Sequence, residues 1–126
     1  MIAVETNILV YAHRADSPFH ERALEVLRES ARRDWAIPAP CLHEFMAVVT
    51  HPGWRASPTL RLLTETDGYW DVLDRVLAAS RVVGPRVHDA RIAALCLHHA
   101  VDELLTADRD FSRFALPVRN PLVGPS

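Results

Sequence analysis

The chain has 126 residues, 49% of them apolar, and a formal charge of −2; that is enough for one domain with a real core and too little for two ordinary ones. All 14 basic side chains are arginine, so chemistry that requires a lysine, such as a Walker phosphate loop or a Schiff-base enzyme, is excluded. The near-neutral charge exerts no global pull on a polyanion, and any such partner must be met by local basic patches.

Residues 2–5 read as a short strand, followed by a helical or irregular apolar turn through His13. The stretch DSPFHERALEVLRESARR predicts a helix, with Ser17 as cap, Pro18 in the first turn, and Phe19, Ala23, Val26 and Leu27 on one face. Trp35 to Ile37 predict a second strand. PCLHEFMAVVTHPG predicts a second helix, with Leu42, Phe45, Met46 and Val49 at helical spacing and Pro52-Gly53 as its stop. A third strand is expected at 60–63 and a helix at about 68–80, with Tyr69, Leu73, Val76 and Leu77 inward. After the break at Gly84-Pro85 come a helix at about 86–99, a fourth strand at 103–106, a helical turn in DRDFSRF and a short last strand at Val118. Strands alternating with helices imply an α/β fold, one domain over 1–126, with a mainly parallel sheet covered on both faces.

No signal peptide or apolar run of membrane-spanning length is apparent, and a cytoplasmic protein without membrane contact is expected. Cys41 and Cys96 are far apart and each is embedded in apolar neighbours, which suits buried thiols. Trp35, Trp54 and Trp70 are candidate interface anchors, with core packing or surface capping as the ordinary reading of each.

The chemistry is concentrated in acids. Glu5 sits between the apolar runs IAV and ILVYA, where a lone carboxylate is costly; it needs either an arginine or a cation shared with other acids. In an open parallel sheet, ligands bind beyond the carboxyl ends of the strands where strand order reverses. Glu5 ends the first strand, Asp108 and Asp110 follow the fourth, Glu44 lies on the helix after the second, and Asp89 opens the helix before the fourth. Two carboxylates about 4 Å apart repel by roughly 4 kcal/mol at an effective dielectric of about 20, so a cluster needs compensation. Acids without histidine or cysteine at metal spacing suit Mg2+ or Mn2+, with phosphate oxygens as further ligands, and hydrolysis of a phosphodiester follows. Singly, each acid has a plainer reading. Asp89 complements a helix start, Asp108 caps a turn, Glu44 is a solvated helix residue, and Asp110 serves a local turn. His43-Glu44 begins like a zinc HExxH motif, but Ala47 stands where its second histidine belongs; there is no GxSxG elbow and no GxGxxG fingerprint.

ETNILVYAH, SPFHERA, PCLHEFMAVVTHP, VHDARIAALCL and LLTADRDFSRF, in that order over nearly the whole chain, resemble the PIN domain and within it the VapC toxins of bacterial VapBC toxin–antitoxin systems. The resemblance implies a three-layer α/β/α sandwich, a metal-dependent endoribonuclease acting on RNA, a homodimer, and inhibition by a cognate VapB-type antitoxin. It carries the four acidic positions onto Glu5, Glu44, Asp89 and Asp108, with Glu5, Asp89 and Asp108 as metal ligands and Asn7 and Thr106 as supporting polar groups. Two departures follow. The family has aspartate where this chain has Glu5, whose extra methylene shifts the carboxylate by up to about 1.5 Å; the alternative to an active nuclease is therefore a catalytically weakened module that binds RNA or the antitoxin. The connection from Pro52 to Thr59 is also short for a further helix expected there. Among the arginines, Arg14, Arg55, Arg86, Arg91 and Arg109 are candidates to guide a phosphate backbone.

Overall fold

The computed structural model describes residues 1–123. Strands β1 (Ile2–Val4), β2 (Trp35–Pro38), β3 (Leu60–Leu63), β4 (Glu103–Leu105) and β5 (Val118–Arg119) form one parallel sheet in the order β3-β2-β1-β4-β5. Ile2 lies beside Trp35 on one side and Glu103 on the other, so β1 is the central strand. From β1 the chain steps outward through β2 to β3, then returns past β1 to β4 and β5. Strand order therefore reverses between β1 and β4.

Five α-helices cover the sheet: α1 (Thr6–His13), α2 (His20–Ser30), α3 (Ala39–Met46), α4 (Tyr69–Ser80) and α5 (Val87–His98). Right-handed crossovers put the helices of outward steps on one face and those of the return step on the other. Accordingly, α1 packs on α2 and α3, while α4 packs on α5. The inner strands β1, β2 and β4 are largely apolar, as a sheet buried on both faces requires: Ala3, Val4, Trp35, Ala36, Ile37, Leu104 and Leu105 are all buried, whereas the edge strand β3 exposes Arg61 and Leu62. Ala90, Ala93 and Ala94 give α5 a small-residue face that lies close in the core.

The expected elements are present, with local differences. The first strand stops at Val4 and the fourth at Leu105, because Glu5 and Thr106 turn the chain out of the sheet. α2 starts at His20 rather than at Ser17-Pro18. The Ser17 hydroxyl accepts from the Phe19 N–H at 3.1 Å and its carbonyl from the His20 N–H at 3.2 Å, which closes a separate turn before the helix. α3 ends at Met46, well before Pro52-Gly53. Its last turn tightens, with the Val48 and Val49 N–H groups both donating to the Phe45 carbonyl, ahead of two β-branched residues of low helix propensity. The short connection holds a single 3-10 turn, Gly53–Ala56, in place of a further helix, and β3 follows at the expected residues.

Of the three tryptophans, Trp35 is fully buried in the central part of the sheet, so it serves the core and not an interface. Trp54 packs across both Trp35 and Phe45. Trp70 remains 63% exposed. Both cysteines are buried and free; burial pushes the Cys96 thiol up to about 12 and Cys41 higher still, so neither is a reactive thiolate. α4 ends with Arg81 in the left-handed region at φ 56°, its N–H donating to the Leu77 carbonyl. That position normally favours glycine, and a residue with a Cβ loses about 1 kcal/mol there.

Candidate active site

Glu5 leaves the sheet at the point of strand reversal. Its N–H still donates to the Leu105 carbonyl of β4 at 3.0 Å, and its side chain folds back to accept the Asn7 N–H on Oε2 at 2.6 Å, making it the N-cap of α1. Only 9% of Glu5 is exposed. Asn7 then reaches across to the segment after β4. Its Nδ2 donates to Thr106 Oγ1 at 3.1 Å and its Oδ1 accepts the Ala107 N–H at 3.1 Å. Buried Thr106 uses the same Oγ1 to accept the Asp108 N–H at 3.0 Å. Asn7 and Thr106 thus lock the start of α1 to the backbone that carries Asp108. Asp108 Oδ1 accepts the Asp110 N–H at 2.9 Å and caps the 3-10 turn Arg109–Arg113, the turn role expected of it.

Two further acids approach from helices. Glu44, an exposed residue on α3, accepts the Thr6 hydroxyl on Oε1 at 3.2 Å; that hydroxyl also lies 3.5 Å from the Cys41 carbonyl. Asp89 is half-buried in the first turn of α5. Asp110 is tied to Arg86 at 2.7 Å, and this pair sits beside Asp89.

These acids act on one another. Burial pushes the Glu5 carboxyl up to about 7; the Asn7 N–H opposes the rise, and the charges of Glu44, Asp108 and Asp89 add to it. Asp89 is raised as well, first by burial and then by Asp108, with Arg86 pulling the other way. Arg86 holds Asp110 below the usual carboxylate range. Carboxyls raised by burial and like charge are anions without enough counter-charge. Among the described residues, no three histidine, cysteine or acidic side chains already stand together as a metal-holding group. His98 and His99, adjacent at the end of α5, are engaged with the Thr66 hydroxyl and the Thr64 carbonyl, each at 2.7 Å.

Among the arginines expected to guide phosphate, Arg14 is paired with Asp16, Arg91 with Glu65 and Arg86 with Asp110. Sequence reasoning missed Thr6, which holds Glu44 from 38 residues away, and the approach of Arg81 and Arg113 to Asp89 around one hollow. No local pattern marks either, because both depend on how the crossovers close.

A PIN domain family model matches residues 2–116. The ribonuclease VapC24 of Mycobacterium tuberculosis is 34% identical over 94% of this chain and 97% of its own length. The fold is shared with a solved structure of FitAcB from Neisseria gonorrhoeae, at TM-score 0.72 and 19% identity over 96% of this chain and 98% of that one. It is also shared with VapBC2 from Rickettsia felis bound to a DNA fragment from their promoter, at TM-score 0.70 and 19% identity over 95% and 98%. With its acids gathered at the strand reversal and nearly its whole length matched, this chain belongs to the PIN-domain family.

Proposed function

We propose that the chain is a Mg2+- or Mn2+-dependent endoribonuclease, the toxin of a VapBC-type pair, with Glu5, Glu44, Asp89 and Asp108 as its catalytic acids. The observation that carries this reading is the uncompensated charge at the strand reversal, where burial and three neighbouring acids push Glu5 up to about 7. An all-carboxylate donor set without a matching arginine fits a hard divalent cation. The ion would neutralise the cluster and activate water for attack at phosphorus.

The chain's own residues do the rest. Asp108 is presented by a backbone fixed through Thr106 and Asn7, and Asp89 approaches from the start of α5. Magnesium keeps several of its waters readily, so these acids would hold the ion in part through them. Glu44, steadied by Thr6, stands where an exposed carboxylate can take a proton from water. Glu5 spends one oxygen on the Asn7 N–H, which would leave the other to hold the ion. An aspartate there caps a helix better than glutamate and is shorter by one methylene. Glu5→Asp is therefore expected to cleave RNA faster than the wild type, by up to about a hundredfold.

The test is cleavage of RNA with Mg2+ or Mn2+ against a chelated control, with the melting temperature followed during metal titration. Cleavage that needs the metal, with a rise in melting temperature, is the expected result. Cleavage that persists in chelator, or no cleavage by either the wild type or Glu5→Asp, would remove the proposal. Likeness to the ribonuclease and VapBC relatives supports a homodimer and a VapB-type antitoxin as partners. Co-purification with an antitoxin encoded beside it, with loss of cleavage in the complex, is the matching check.

A further inference from the structure

The cluster that would bind the ion is negative, and so is the chain as a whole, so an RNA strand arriving there needs cations close at hand. Beside Asp89 lies a hollow of about 580 Å³ whose wall carries Arg81, Arg86 and Arg113 together with only two acids, Asp89 and Asp110. The three arginines come from three separate places, the end of α4, the 3-10 turn before α5 and the turn after β4. Asp110 is already taken by Arg86 at 2.7 Å, and the Arg86 side chain is still 44% exposed. A guanidinium has five donors, so this pairing steadies Arg86 while leaving donors open. Among the described residues, neither Arg81 nor Arg113 lies within ion-pair distance of a carboxylate. Arg81 also stands in a left-handed backbone position where glycine is the unstrained choice.

We propose that Arg81, Arg86 and Arg113 form a subsite for the phosphate backbone of single-stranded RNA, placed beside Asp89 so that phosphates flanking the scissile one are held while the carboxylates act. This rests on the nuclease reading for its biological sense, but its ligand chemistry is the phosphate chain alone. Contacts of this kind position the strand without reading bases. Arg81 and Arg113 are positioning residues: they set how tightly RNA docks and leave the bond-breaking step to the acids.

The experiment uses the full chain with a fluorescent single-stranded RNA in chelator, where binding is read without cleavage over a range of salt. Arg81→Gly with Arg113→Ala is compared with Arg32→Ala with Arg33→Ala, which removes the same charge from exposed residues beside a different hollow, at the amino ends of the strands. The first pair is expected to weaken binding by about tenfold, on RNAs of any sequence, and to make the logarithmic salt slope shallower by about 1.4. The control pair keeps the wild-type slope. Arg81→Gly relieves the left-handed strain, so its melting temperature holds or rises and lost affinity is not lost fold; should the double variant unfold, Arg113→Ala alone is expected to shift the slope by about 0.7. Equal weakening by both pairs, or none by the first, overturns the subsite. Wild-type cleavage is measured in parallel. Arginine-dependent binding without cleavage fails the nuclease reading and supports the subsite, whereas cleavage with arginine-independent binding does the reverse.

Discussion

The two ends of the sheet treat their acids in opposite ways. At the amino ends of the strands the acids have partners: Asp102 takes the amino terminus of Met1, Asp34 takes Arg61 at 3.2 Å and Glu103 takes Arg119 at 3.0 Å. At the carboxyl ends the charges of Glu44, Asp89 and Asp108 bear on Glu5, and Arg86, beside Asp89, is bound to Asp110. The same residue type therefore serves solubility at one end and stored repulsion at the other. An acid becomes informative through the partner it lacks, not through its presence.

That contrast can be broken at either end. The largest effect is expected on catalysis at the carboxyl end. Asp89→Asn or Asp108→Asn should lower RNA cleavage by more than about a hundredfold, beyond what outer groups around a metal usually cost. Asp89→Asn should melt no lower than the wild type, because it removes a carboxyl already raised by burial and by Asp108. A variant with full activity would take its residue out of the mechanism.

Next is the pH dependence of stability without metal. Glu5 titrates near 7 in the folded chain against an ordinary value of 4.5, so the folded state holds an extra proton between those values. Stability should therefore fall as pH rises from 4.5 to 7, by up to roughly 3 kcal/mol. Glu5→Gln, whose amide oxygen can still accept the Asn7 N–H, should flatten that slope in urea titrations at several pH values. Asn7→Ala comes third. It strips the Ala107 N–H of its acceptor and Thr106 of a donor, for about 1–3 kcal/mol of stability, and cleavage should drop along with it. Smallest is the other end of the sheet, where Arg61→Ala and Arg119→Ala remove exposed pairs and should each change stability by no more than about 1 kcal/mol.

The inner strands were legible because they are buried on both faces and read as apolar runs; edge strand β3, half exposed and reached by a connection without its expected helix, also fell at 60–63. Helix ends were less so. Ser17-Pro18 has the composition of a helix start, yet the Ser17 hydroxyl closed a turn of its own onto Phe19, a choice between two local bonds that composition does not decide. Glu5 stood out by its apolar flanks, and burial bears that out. Its cap on Asn7 could not be anticipated, since the segment was read as strand through residue 5. Asn7 and Thr106 entered only through family likeness, and the reason for them became physical once one amide was seen to join residues 99 and 100 positions apart. Separations of that size leave no periodic trace.

The same amide has a bearing on how the chain comes into being. The middle strand of the sheet, β1, is made before its second neighbour, β4, which begins about a hundred residues later. Until then Glu5 has neither the Leu105 carbonyl above its N–H nor Asp108 across from it, and Asn7 has nothing to grip. A ribosome-bound fragment lacking β4 therefore carries three of the four acids beside an open sheet edge, and closing it is the slow, non-local step of folding. The acidic cluster is complete only once β4 and the turn after it are in place.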